Sequence, residues 1–306
     1  MADRTYRGIS LGAGSVTVVV IVLIFLFLLI RSWPAISKRG IWSFLTTQEW
    51  LITRDPPIYG AAALLYGTTL VAVIALVIAV PLAVGSALYI NEYAPRRLRG
   101  IMTSLIDLLA AVPSVIYGIF GITFLVSRME GPSAWLSDYL GFIPLFADGP
   151  RTFRGSIANA SVVVACMVLP IVTSVIREVF SQAPHSECEA AYALGSTRWG
   201  MVRTVIIPFG RGGIIGGSML GLGRALGETI AIFLILQPSF EFVTQVLEPG
   251  GVTAASFIAG QFTNAGEFEI RALLGVGLAL YLMTLVVNMA ATVAVNRSRS
   301  GAGVEL

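Results

Sequence analysis

The stretch GLGRALGETIA at residues 221–231 places Arg224 and Glu228 four residues apart in a run otherwise rich in glycine, alanine, leucine and isoleucine. Arginine is a permanently charged, planar fork of N–H donors suited to an oxyanion, and a glutamate beside it accepts hydrogen bonds. Together the two would hold an anion that still carries a proton, because the carboxylate repels a fully deprotonated one. That chemistry favours hydrogen phosphate over sulfate. A second reading is structural: arginine and glutamate one turn apart neutralise each other and hold a helix interface together.

On a helix, Gly217, Gly221, Arg224 and Glu228 follow i, i+4, i+7, i+11 and are expected on one stripe. Gly213, Gly217, Gly221 and Ala225 recur every four residues, the small-residue spacing that lets membrane helices pack closely. The charges then face a neighbouring helix or a path, not lipid, where an arginine at mid-span costs at least about 2.5–3.5 kcal/mol. Asp107, another carboxylate in an apolar run, is a second-tier candidate. It either pairs with Arg224 or lines the same path, or it takes a hydroxyl or another span as a structural partner.

The elements that position these residues follow from composition. The chain has 306 residues, of which 56% are hydrophobic and 12% charged, with a mean hydropathy of +0.84. A soluble domain is about a quarter charged, so the expected solvent is a bilayer. Six windows are long and apolar enough to span it, at about 11–31, 62–90, 101–127, 157–179, 212–237 and 271–295. The expected fold is all-α, a polytopic membrane protein forming one domain over residues 1–306 with its core at about 60–295. Arginines in the short loop NEYAPRRLRG at 91–100 place that loop, and with an even number of spans both termini, in the cytoplasm. Pro113 is expected to kink or loosen the third span.

The segment PHSECEAAYALGSTRWGMVRTVIIP at 184–208, between spans four and five, carries three local signals. Ser186-x-x-Glu189 reads as a capping box that starts a helix after Pro184. Gly195 falls where a helix ends in a left-handed residue. Ser196 or Thr197 can cap a second helix, which Pro208 is expected to end or kink.

Composition and motifs also exclude several functions. The formal net charge of +3 is small and its basic residues are scattered, which sets nucleic-acid binding aside. Two cysteines and one histidine make neither a disulfide framework nor a zinc site. The single lysine, Lys38, sits in KRG with no Gly-x-x-x-x-Gly-Lys-[Ser/Thr] around it, so the chain is not expected to hydrolyse ATP. The glycine-rich run at 210–223 lacks the preceding strand of a nucleotide loop.

Glu189-Ala190-Ala191, three residues, Gly195, nine residues, then Val205-x-Ile207-Pro208 resembles the EAA motif of ABC importer permeases, with valine and isoleucine replacing that pattern's isoleucine and leucine. The resemblance implies a coupling helix that docks on an ATP-hydrolysing subunit, with Glu189, Ala190, Ala191, Gly195 and Pro208 as the matching positions. IIGGSMLGLGRALGETIAI and APRRLRGIMTSLIDLLAAVPSVIYGIFG are similar to the PstC-type permeases of phosphate ABC importers. The PstA-type partner usually reads GETAPL, where this chain has Gly227-Glu228-Thr229-Ile230-Ala231.

This resemblance implies a type I permease fold and phosphate passage past Arg224 and Glu228 in the plasma or inner membrane. It implies no cofactor in this chain, with ATP and Mg bound by the partner ATPase. The implied partners are a second, PstA-like permease, two ATP-binding subunits, an extracytoplasmic phosphate-binding protein and membrane lipid. Two alternatives stay open: a permease for sulfate or molybdate, and the paired PstA-type subunit.

Overall fold

The computed structural model describes residues 2–147 and 153–299, with side chains over 6–147 and 153–293. Met1 and residues 300–306, on which the expected placement of both termini falls, lie outside them. Within this range the chain forms α1 (Ala2–Arg39), α2 (Ile41–Thr46), strands β1 (Trp50–Leu51) and β2 (Ile58–Tyr59), and α3 (Ala62–Leu88). There follow α4 (Arg96–Ala110), α5 (Ser114–Phe120), α6 (Val126–Leu140), α7 (Ile157–Ser181), α8 (His185–Ala193) and α9 (Arg198–Met201). The last elements are α10 (Ile207–Leu226), α11 (Ile230–Ile235), α12 (Ala254–Gln261) and α13 (Glu267–Arg299). β1 and β2 pair as a short antiparallel ribbon.

Five helices among the described residues are long and apolar enough to cross a bilayer: Tyr6–Arg39, Ala62–Tyr93, Ile157–Ser181, Arg198–Leu226 and Glu267–Val293. The third expected span, at 101–127, is not one helix. It breaks between Ala110 and Ser114 with a 93° bend. Pro113 has no N–H to donate and disfavours helical geometry at Val112, so it ends one helix and starts the next, a stronger effect than the expected kink.

Direction follows from contacts. The starts of α3 and α7 both meet the 238–253 segment, where Val252 abuts Gly67 and Ala158 N–H donates to the Val246 carbonyl at 2.9 Å. At the other end Asn91 Nδ2 donates to the Arg177 carbonyl at 2.8 Å. α3 and α7 are therefore parallel, and the bent α4–α6 segment carries the chain back across between them. α10 runs against α7, since Gly213 faces Val179 and Gly221 faces Val168 and Val172. α13 runs against α1, with Gly275 beside Ile36 and Tyr281 Oη donating to the Ile21 carbonyl at 3.3 Å.

α7 is the centre of the bundle. Val164, Val168, Val172 and Ile176 are fully buried along it. α3 meets it through Ala75, Ala79, Ala83 and Ala87, each 0% exposed, another stripe of small residues at every fourth position. Lipid tails are as apolar as leucine, so helices associate in a membrane by close packing, and small side chains allow the backbones to approach.

Candidate functional site

Arg224 lies in the last turn of α10, and Glu228 lies beyond the end of that helix. The expected common stripe is therefore broken. Gly227 closes α10, and the chain leaves helical geometry before α11 begins at Ile230. Glu228 is 6% exposed, and its Oε1 accepts from the Ala231 N–H at 3.2 Å. It thereby satisfies one of the orphan donors at the start of α11. Among the described residues Arg224 makes no ion pair with it or with any other carboxylate. The intrahelical clamp is not formed, because the clamp requires a continuous helix through 228.

The packed stripe on α10 runs Gly213, Gly217, Gly221 and Ala225. A Cβ on Gly213 would meet Val179 Cβ at 2.6 Å, and one on Gly221 would meet Val168 Cγ1 and Val172 Cγ2 at 2.7 Å. Ala225 continues this seam and is buried. Arg224, one residue earlier, turns off it and is exposed. It lines a groove of about 630 Å³ between α7, α10 and α13, together with Ile171, Met219, Leu220, Asn288 and Thr292.

Two broken helices meet beside this groove. α5 and α11 pack through Gly118 against Ala231 and Leu234, and Gly121 approaches Ile235 and Val163. Tyr117 Oη donates to the Leu109 carbonyl at 2.9 Å and so bridges the α4–α5 break. Non-helical backbone at membrane depth persists only where protein buries it or a water-filled cavity receives it, and here two such breaks lie close to one uncompensated guanidinium.

Asp107 does not join this group. Its Oδ1 accepts from Ser174 Oγ at 2.8 Å, tying α4 to α7, and it is absent from the groove lining. Of the alternatives open from sequence, the structure contains the hydroxyl partner.

The 184–208 element differs from expectation at its start and agrees at its centre. α8 begins at His185 with Pro184 as its flanking residue and no side-chain cap. Ser186 is thus inside the helix, too late to accept from a first-turn N–H, and the capping box does not form. At the other end, Gly195 has φ of 82°, Gly195 N–H donates to the Tyr192 carbonyl at 2.9 Å and Ser196 N–H to the Ala191 carbonyl at 3.0 Å. These paired bonds are the Schellman closure of a helix. Thr197 Oγ1 then accepts from the Gly200 N–H at 3.1 Å.

Pro208 does not end this second helix, one of the effects expected of it. A wide turn over Val202–Ile206 precedes it, and the helix runs unbroken from Arg198 to Leu226. Such a π turn changes the hydrogen-bond register where proline can give no N–H. None of the residues of α8 is buried, Glu189 and Ala190 are exposed, and Leu194 is 87% exposed. Arg198 stacks over Tyr93 at 5.0 Å, which ties the element to the last turn of the α3 span.

Residues 79–300 match the family of binding-protein-dependent transport system inner membrane components. The chain belongs to this family. Among curated relatives, the phosphate transport system permease protein PstC 2 of Mycobacterium tuberculosis is 41% identical over 292 residues, covering 94% of this chain and 90% of that protein. PstC of Haemophilus influenzae is 41% identical over 263 residues, covering 85% and 82%. Among solved structures, a bacterial alginate ABC transporter in complex with a pentasaccharide-bound periplasmic protein aligns with TM-score 0.59 and 18% identity over 93% of each chain. A second alginate transporter structure aligns with TM-score 0.55 over 77% of this permease and 78% of that chain. The architecture is the type I ABC importer permease fold in a multi-pass membrane protein, and the sequence groups with the PstC-type permeases.

Two residues of the permease groove, Asn288 and Thr292, and Tyr117 at the α4–α5 break have no counterpart in the sequence-based expectations. Asn288 and Thr292 form an i, i+4 polar pair on α13, visible in sequence only as isolated polar residues in the sixth span. Tyr117 sits in a span whose break was not expected.

Proposed function

We propose that this chain is the PstC-type membrane subunit of an ATP-driven importer of inorganic phosphate. The observation that carries the reading is Arg224: a permanent cation with no anionic partner among the described residues, on the wall of a groove at membrane depth, in a chain 41% identical to PstC proteins over nearly its whole length. A charge so placed is costly and marks a substrate path. Hydrogen phosphate supplies the acceptor oxygens that Arg224 lacks, and Glu228, which caps α11 and is not on the groove wall in this structure, accepts the anion's proton only on turning from α11 toward the path.

In this reading the groove, open on one side in the single chain, is closed by a second, PstA-like permease. α8 docks on one of two ATP-binding subunits, which alone bind ATP and Mg, so this chain needs no cofactor and catalyses no covalent step. An extracytoplasmic phosphate-binding protein meets the opposite end. The α8 end is cytoplasmic and both termini lie on that side of the plasma or inner membrane, in keeping with Arg96, Arg97 and Arg99 in the short loop there. ATP binding moves α8, and through the continuous helix from Arg198 to Leu226 it exposes Arg224 to one side and then the other. Asp107 acts on the path only indirectly, by holding α4 to α7.

ATP-dependent uptake of radiolabelled phosphate into liposomes carrying the reconstituted complex tests the proposal. Arg224→Gln is expected to abolish uptake without disturbing assembly, and Glu228→Gln to weaken selection of phosphate over sulfate. Sulfate uptake that phosphate does not inhibit would support the rival oxyanion reading. Full phosphate uptake by Arg224→Gln would overturn the assignment of the path.

A further inference from the structure

The chain's only lysine, Lys38, and the adjacent Arg39 end α1 at the side of the bundle opposite α8. Both line one pocket of about 430 Å³ with Pro56, Pro57, Tyr59 and Phe268. Basic residues in a last helical turn often complement the helix dipole and reach toward the membrane surface. Here they are held in place. Arg39 Nη1 donates to the Pro57 carbonyl at 3.2 Å, Nη2 donates to Thr47 Oγ1 at 3.2 Å, and the guanidinium lies over the Tyr59 ring at 5.6 Å. Lys38 Nζ lies over the Phe268 ring at 5.1 Å.

No described carboxylate neutralises either cation. The two acids flanking Phe268 are already engaged: Glu267 pairs with Arg271, and Glu269 Oε1 accepts from Trp50 Nε1 at 3.2 Å. Arg39 Nε is buried without an acceptor, although buried donors nearly always have one. Burial raises the Tyr59 phenol above its ordinary pKa, with the Arg39 charge opposing that rise, so Tyr59 presents a neutral wall. The pocket thus has two fixed positive charges, walls of ring and proline, and no anion of its own.

We propose that the Lys38–Arg39 pocket binds a phosphate oxyanion at the membrane face opposite α8, either inorganic phosphate or the headgroup phosphate of an anionic lipid. The guanidinium orients oxygens through the Nη hydrogens that Pro57 and Thr47 do not use, and the ammonium supplies a second charge. The site is separate from the Arg224 groove and does not depend on which oxyanion the permease carries.

The single lysine makes a direct test possible. The full chain, assembled with its partner subunits, is placed in nanodiscs of phosphatidylcholine or of phosphatidylcholine mixed with phosphatidylglycerol. An amine-reactive reagent is applied, and modification of Lys38 is followed by mass spectrometry with the α-amino group as internal reference. A ligand at about ten times its dissociation constant slows labelling roughly tenfold by mass action. Slowing by inorganic phosphate in phosphatidylcholine discs, at constant ionic strength, assigns the site to the free anion. Slowing by phosphatidylglycerol without added phosphate assigns it to lipid.

Arg39→Gln should remove the protection in either arm, and Arg54→Gln should leave it. If Arg39→Gln does not assemble, Arg39→Lys, which keeps the charge and loses the fork, should weaken protection. Equal Lys38 labelling under all conditions, or protection unchanged in the Arg39 variants, would overturn the proposal and leave the pair as helix-end charges.

Discussion

Substitution of Gly221 by alanine should separate close packing from helix propensity. In α10 a Cβ at 221 would sit 2.7 Å from both Val168 Cγ1 and Val172 Cγ2, far inside ordinary contact. These are stiff β-branched side chains on the central helix, and neither can swing away without disturbing its own buried neighbours. Overpacking of this kind costs about 1–3 kcal/mol, while replacing glycine by alanine in a helix returns about 1 kcal/mol. The net effect of Gly221→Ala is thus expected to be neutral to about 2 kcal/mol destabilising. Gly216, on the same helix, has nothing within 4 Å of the same construction, so Gly216→Ala is expected to gain the propensity term alone. Reversible unfolding in mixed detergent micelles measures both against wild type. A gap of about 1–3 kcal/mol, with Gly221→Ala the less stable, is the expected result. Equal stabilities would refute the argument that the glycine stripe is a contact seam, and would make the four-residue spacing incidental.

Gly195→Ala meets no atom but must keep φ at 82°. It should cost roughly 1–2 kcal/mol and loosen the end of α8, read as weaker binding of the ATPase subunit to the assembled permease; unchanged binding would mean the Schellman turn is dispensable. Glu228→Ala removes the acceptor of the Ala231 N–H and should cost about 1 kcal/mol of stability, whereas Glu228→Gln, which keeps a carbonyl oxygen there, should cost less; the reverse order in unfolding experiments would exclude the capping role. A double-mutant cycle on Asp107→Ala and Ser174→Ala should give a coupling of about 0.6–1.7 kcal/mol, and a value near zero would show that the 2.8 Å bond adds nothing. The Cys188 thiol is pushed up from its ordinary pKa by burial, then by Glu92, Glu187 and Glu189. Its alkylation at neutral pH should therefore be slower than that of a free thiol, rise as the pH passes the usual thiol range, and accelerate in Glu92→Gln; an equally slow Glu92→Gln would remove Glu92 from the causes.

Much of this permease was legible in one dimension because a bilayer imposes strict terms. Backbone polar groups cannot go unpaired in hydrocarbon, so long apolar runs had to be helices; four of the six expected spans each lie in one spanning helix, while the expected 212–237 span is displaced to Arg198–Leu226 and breaks after it. The end of α8 at Gly195 was equally readable, since a left-handed residue is cheap only without a Cβ. The four-residue glycine spacing likewise indicated a seam, though not which helix it would meet. α7 is that partner, and sequence periodicity carries no information about neighbours.

Tertiary structure decided the rest. Arg224 and Glu228 look like a one-turn pair only while the helix is assumed to continue, and the break at Gly227–Thr229 sends one into an open groove and the other to the start of α11. A similar break at Pro113 brings α5 against α11, through Gly118 and Ala231, at a sequence distance no local pattern reports. Ser186 lost its capping role because α8 starts two residues earlier, with Pro184 at its N-cap. Asn288 and Thr292 became groove residues because α13 folds back beside α10. Sequence determined which segments enter the membrane and where the exposed helix ends, because those are local demands of solvation and backbone geometry. Which charges remain unpaired, and what they face, depended on where helices stop and which helices touch, and that is settled by packing among residues far apart in the chain.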